Sequence, residues 1–221
     1  MPAPERTTTT IGEALAVIAI CFGLSILASL QAVAAGFPAT AGTFSDASLL
    51  WLVAMEVVLG AAAIGLLAAR HFSVASLVPQ PTLRGCAWGI GLFFAAWLVG
   101  WIVVAPFIAE QPPQPIDRMV QEATLSMPVI VLVALINGTF EEVFLLGFLL
   151  RGLRRHGLSI GLGVTLLVRV LYHLYQGPIG ALWVLAVGLT FGLYYIRFVQ
   201  LWPPVLAHVL WDIVPFVFRE P

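Results

Sequence analysis

The chain has 221 residues, of which 61% are hydrophobic and 10% charged, and its formal net charge is -1. Soluble domains carry roughly 25% charged residues, so this balance and a mean hydropathy of +1.02 make lipid the main solvent and exclude a sizeable water-soluble domain. All ten basic residues are arginine, and with the signs nearly balanced neither a nucleic-acid surface nor a polybasic lipid tether is indicated.

At about 20 to 25 residues per span the length admits about six to eight spanning helices. The first apolar run, Ile11 to Ala35, follows Arg6 and ends in the small residues Ala32, Ala34 and Ala35, which resembles a secretory signal. It is longer than a signal core and more spans follow, so a first transmembrane helix is expected over Gly12–Ala35. Gly, Pro and Arg punctuation then marks helices at Ser48–Ala69 and Arg84–Ile108. The stretch Ala109–Ser126 holds Pro112, Pro113 and Pro115 with Glu110, Asp117, Arg118 and Glu122, and reads as an extramembrane loop with one short surface helix. Further helices are expected at Met127–Arg151, Leu158–Tyr175, Ile179–Val199 and Pro204–Phe218, seven in all. Strands are excluded because a bilayer admits only helices or closed barrels, and no ten-residue polar/apolar alternation is present.

The expected fold is therefore an all-α transmembrane bundle, one integral membrane domain. Residues 1–126 supply N-terminal helices and an outer loop, and residues 127–218 supply the core helices. With the N-terminus in the cytoplasm, Arg6, Arg70, Arg84, Arg151, Arg154, Arg155 and Arg197 lie inside, and only Arg118 and Arg219 outside. This orientation goes with an odd number of spans. Cys21 and Cys86 fall in apolar runs and read as small hydrophobes. No internal repeat supports an inverted-repeat transporter.

Ionisable side chains within spans cost roughly 2.5 to 3.5 kcal/mol each on insertion scales, so each is a functional hypothesis. They are Glu56 in the second helix, Glu141 and Glu142 in the fourth, Arg169 and His173 in the fifth, and His208 and Asp212 in the seventh. Counting from the turn at Arg155–Leu158, Glu141 and His173 come level on antiparallel helices. His208 and Asp212 share one helix face, as do Arg169 and His173. Taken singly, an intramembrane His is more often a partner in helix packing, and paired glutamates can be an ion pair, a relay or a cation site. Their convergence on three helices is hard to explain as packing. A buried carboxylate helped by a neutral His can move protons to and from water and an amine, and His with Asp can serve an oxyanion, which is the chemistry of peptide hydrolysis.

Three segments carry a family resemblance: Glu141-Glu142-Val143-Phe144-Leu145-Leu146, Arg169-Val170-Leu171-Tyr172-His173 and His208-Val209-Leu210-Trp211-Asp212. Over about Val129 to Val214 the chain resembles the CPBP intramembrane endopeptidases, the CAAX and bacteriocin-processing (Abi) proteases, whose motifs are EExxxR, FxxxH and HxxxN or HxxxD. The resemblance implies Glu141 as the base that activates water, His173 assisting it, His208 and Asp212 at the oxyanion, and Glu142 supporting the geometry. It implies a glutamate-dependent enzyme with no cofactor and no metal. A zinc site of Glu141, His173 and His208 is the competing reading, weakened by the lack of HExxH.

Two positions depart from the pattern. Leu146 stands at the motif arginine and Arg169 at the motif phenylalanine. Arg169 is one turn before His173 and is expected to replace the missing cation beside Glu142, a relocated ion pair. The rival reading is a catalytically inactive scaffold or immunity protein of the same fold, and a small proton-coupled transporter is a third. Implied partners are the lipid bilayer and a peptide or membrane-protein substrate, with no nucleic acid. The lysine-free, Ala- and Arg-rich composition suggests a bacterial inner membrane, which argues against a prenylated tail as substrate.

Overall fold

The computed structural model describes residues 6–37, 44–108 and 112–218. Glu110 and Arg219, placed above in the outer loop and on the outer side, lie outside the described residues. Eight helices form among those described: α1 (Ile11–Ala34), α2 (Asp46–Ala69), α3 (Leu83–Ile108), the short α4 (Pro115–Gln121), α5 (Met127–His156), α6 (Leu158–His173), α7 (Pro178–Phe198) and α8 (Trp202–Val217). They follow the apolar runs because lipid leaves no other partner for backbone N–H and C=O groups. α4 is the surface helix expected in the proline-rich stretch.

Polar residues fix the helix ends. Thr10 caps α1 by accepting from the Glu13 N–H at 3.2 Å, and the Glu13 carboxylate accepts from the Thr10 N–H at 2.9 Å. Glu13 also pairs with Arg6 and, at 3.3 Å, with Arg70, which ties the start of α1 to the end of α2. Asp46 at the start of α2 accepts from the Ser126 N–H just ahead of α5 at 2.8 Å, so α2 and α5 begin at the same end of the bundle.

α5 is the central helix. Its spanning part is 61% buried, against 22 to 28% for α1, α2 and α3. It packs on α2, α6 and α8, while α3 covers α7 and α8, and α1 covers α6. Directly after Glu142, α5 widens into a π-helical stretch over Val143–Leu150, every residue of which is buried. Such wide turns collect at functional sites. Thr165 of α6 donates to the Leu145 carbonyl at 3.4 Å within this stretch.

Among the described residues, six helices are long and apolar enough to cross a membrane. The last one expected, α8, has 16 residues, which is ~24 Å at 1.5 Å per residue and short of a ~30 Å hydrocarbon core. It starts earlier than the hydropathy suggests because Pro203 and Pro204 sit in its first turn, where a missing N–H breaks no helical bond. If α8 nevertheless crosses, tags on the two termini become accessible from opposite sides of the membrane. Protease protection of both tags from the same side would show that it does not.

Candidate active site

Three helices bring the ionisable residues together. α5 carries Glu141 and Glu142, α6 carries Arg169, Tyr172 and His173, and α8 carries His208 and Asp212. α5 and α8 approach closely at Gly138, where a Cβ would lie 3.2 Å from the Val209 nitrogen and 3.4 Å from the His208 Cβ. This contact brings His208 onto the glutamate pair despite the short helix that carries it.

Glu142 is fully buried. Its Oε1 receives Arg169 Nη2 at 2.6 Å and faces His208 Nδ1 at 2.7 Å. The cation expected beside Glu142 is thus supplied by Arg169 from α6. Leu146, at the motif arginine position, is 1% exposed in the apolar core. Room for Arg169 comes from Gly188 of α7, where a Cβ would stand 2.7 Å from Arg169 Cδ, and the guanidinium lies 6.0 Å from the centroid of the Phe191 ring. Among the described residues, Glu142 Oε2 and Arg169 Nε have no hydrogen-bond partner.

Glu141 is oriented differently. It lines a cavity of about 1450 Å³ together with Asn137, Arg169, Tyr172, His173, His208 and Asp212, whereas Glu142 sits behind the wall. Contacts converge on Glu141 Oε2: the Tyr172 hydroxyl donates to it, His208 Nε2 lies at 3.8 Å and Arg169 Nη1 at 4.0 Å. His208 Nε2 also lies 3.6 Å from Asp212 Oδ1, and the Asn137 amide donates to Asp212 Oδ2 at 2.9 Å. His208 therefore has one nitrogen on the buried Glu142 and the other between Glu141 and Asp212.

His173 faces the same cavity, but its direct partner is the backbone: Nδ1 lies 2.9 Å from the Arg169 carbonyl. The α6 side chain that hydrogen-bonds Glu141 is Tyr172, held from α1 by the stacked ring of Phe22 at 5.0 Å. Tyr172 and Asn137 are the site residues sequence reasoning missed. Asn137 is one helical turn before Glu141 and shares its face, and Tyr172 adjoins His173. Both signals were available, but neutral polar residues are common in helix packing and neither stands out.

Glu141, Glu142 and His208 each offer a donor atom within 4.8 Å of the others, a spacing that admits a metal ion. The trio differs from the zinc set weighed from the sequence, having Glu142 in place of His173. Glu142 Oε1 and His208 Nδ1 are already engaged with each other, and Arg169 brings a fixed positive charge to the same oxygen, which disfavours a second cation there.

Among the described residues, glutamates and histidines thus converge at the wall of an apolar cavity inside a helical membrane bundle. Residues 123–214 match the family of type II CAAX prenyl endopeptidases described as Rce1-like, which supports assigning the chain to the CPBP/CAAX proteases. The match runs from just ahead of α5 into the last turn of α8 and leaves α1 to α4 outside it. No curated protein and no solved structure matches the chain.

Proposed function

We propose that the protein is an intramembrane endopeptidase that hydrolyses a peptide bond of a membrane-associated substrate with water activated by Glu141. The observation that supports this most is the division of labour between adjacent glutamates. Glu141 faces the cavity, while Glu142 lies behind it and anchors both Arg169 and His208.

In this reading Glu141 takes a proton from water as the oxygen attacks the substrate carbonyl. His208, as the imidazolium, donates from Nδ1 to Glu142 and turns its Nε2–H to the oxyanion, while Asp212, held by Asn137, keeps the ring oriented from the other side. As the C–N bond breaks, Glu141 returns the proton to the leaving amine. His173, with Nδ1 donating to the backbone, presents Nε2 to the cavity and assists the proton transfer. Tyr172 fixes the rotamer of Glu141. Arg169 supplies the fixed cation beside Glu142 in place of the motif arginine.

Purified protein in detergent is expected to cut single-span membrane peptides at a discrete bond, seen by mass spectrometry. A strong chelator should leave the rate unchanged. Loss of cleavage with the chelator, restored by one divalent metal, would replace this mechanism with a metal-dependent one at Glu141, Glu142 and His208. A well-folded protein that cuts no peptide while the same peptides bind would favour the inactive scaffold.

A further inference from the structure

The catalytic reading leaves one carboxylate at the cavity without a role. Glu141 and Asp212 are engaged as described, and Asp117, also at the wall, caps α4 by accepting from the Gln114 N–H at 2.9 Å. Glu56 of α2 is 7% exposed and lines the same cavity, and its Oε2 has no hydrogen-bond partner among the described residues.

Its depth follows from the packing of α2 on α5. The two helices begin at the same end, joined by the Asp46 to Ser126 bond, and Glu56 and Asn137 each stand ten residues past their helix starts at Asp46 and Met127. One turn further on, Gly60 faces Phe140, where a Cβ would stand 3.4 Å from the ring. Glu56 is therefore level with the Asn137–Asp212 pair, beside the groups assigned to the reaction.

The charge count there is uneven. Four carboxyl groups, Glu56, Glu141, Glu142 and Asp212, share the single guanidinium of Arg169 and the imidazole of His208, and among the described residues these two pair with Glu142, Glu141 and Asp212 and not with Glu56. A buried carboxylate oxygen without a donor is costly, and the strongest relief is a charge-assisted N–H from a ligand. Leu52, Met55 and Leu59 line the cavity along the same helix, a wall suited to the methylene stem of a long basic side chain.

We propose that Glu56 forms a substrate subsite that takes an ammonium or guanidinium side chain close to the bond that is cut. What occupies it, a peptide, rests on the peptidase reading. The subsite itself rests on the position of Glu56 in the cavity wall.

Binding tests the two separately. Fluorescent single-span peptides carrying lysine, norleucine or glutamate at successive positions are titrated into the Glu141→Gln protein in detergent, which keeps them intact, with and without Glu56→Gln. At one position lysine should bind roughly 10- to 100-fold tighter than norleucine, the range of one charge-assisted hydrogen bond. Glu56→Gln should abolish that preference, and Glu56→Asp, which keeps the charge, should retain part of it. A lysine preference at no position overturns the subsite, as does one that survives Glu56→Gln. A Glu56-dependent preference in a protein whose wild type cuts nothing keeps the subsite and removes the peptidase. Cleavage with no such preference does the reverse.

Discussion

Replacing Arg169 with phenylalanine is expected to lower the stability of the protein by about 3 to 5 kcal/mol, the range for a buried charge left without its partner. Glu142 is fully buried behind the cavity wall, and Arg169 Nη2 at 2.6 Å is its only fixed cation among the described residues. Arg169→Lys should recover part of the loss, since a point charge cannot span Glu142 and Glu141 as the guanidinium does. Adding Leu146→Arg to Arg169→Phe, which restores the family pattern, should also recover part of it. Recovery is incomplete because Leu146 is packed in the core and an arginine there must displace apolar neighbours. Denaturant unfolding in a defined detergent measures all four proteins. Wild-type stability in Arg169→Phe would refute the relocated pair.

The second large effect is on catalysis. Glu141→Gln preserves size and much of the hydrogen bonding but cannot accept the proton of water, so cleavage should fall by roughly 10²- to 10⁴-fold with the unfolding curve nearly unchanged. His208→Ala should cost comparably, since it removes the group aimed at the oxyanion, and it also unsettles Glu142, so its unfolding curve moves as well. Tyr172→Phe keeps the stack on Phe22 and removes only the donor to Glu141. Its loss relative to His173→Ala shows which α6 residue supports the base. Equal rates in Glu141→Gln and wild type would exclude Glu141 as the base.

Much of this architecture is legible in the sequence, for a physical reason. In lipid, run length alone marks a spanning helix, and an ionisable residue inside a run stands out because it is expensive. The helix positions and the membership of Glu141, Glu142, Arg169, His173, His208 and Asp212 follow from those two rules and the motif spacing. Rotational phase does not. When lipid-facing and core-facing residues are both apolar, as in α2 and α3, nothing in the pattern tells which face is inward, so the presence of Glu56 in the same cavity had to come from packing. The π-helical stretch after Glu142 is equally silent, because Val143–Leu150 is a uniformly apolar segment that an α-helix would accommodate as well. The early start of α8 depends on two prolines that read as a break but sit inside its first turn.

The central claim is that water, activated at Glu141, cuts a peptide bond within the bilayer-embedded cavity. Cleavage of a single-span peptide in detergent made with ¹⁸O-water tests it most directly, with products weighed by mass spectrometry. The account predicts one ¹⁸O atom in the new carboxylate of the N-terminal fragment, and a yield of labelled fragment lower by roughly 10²- to 10⁴-fold with Glu141→Gln. Labelled product formed at the wild-type rate by Glu141→Gln would contradict it.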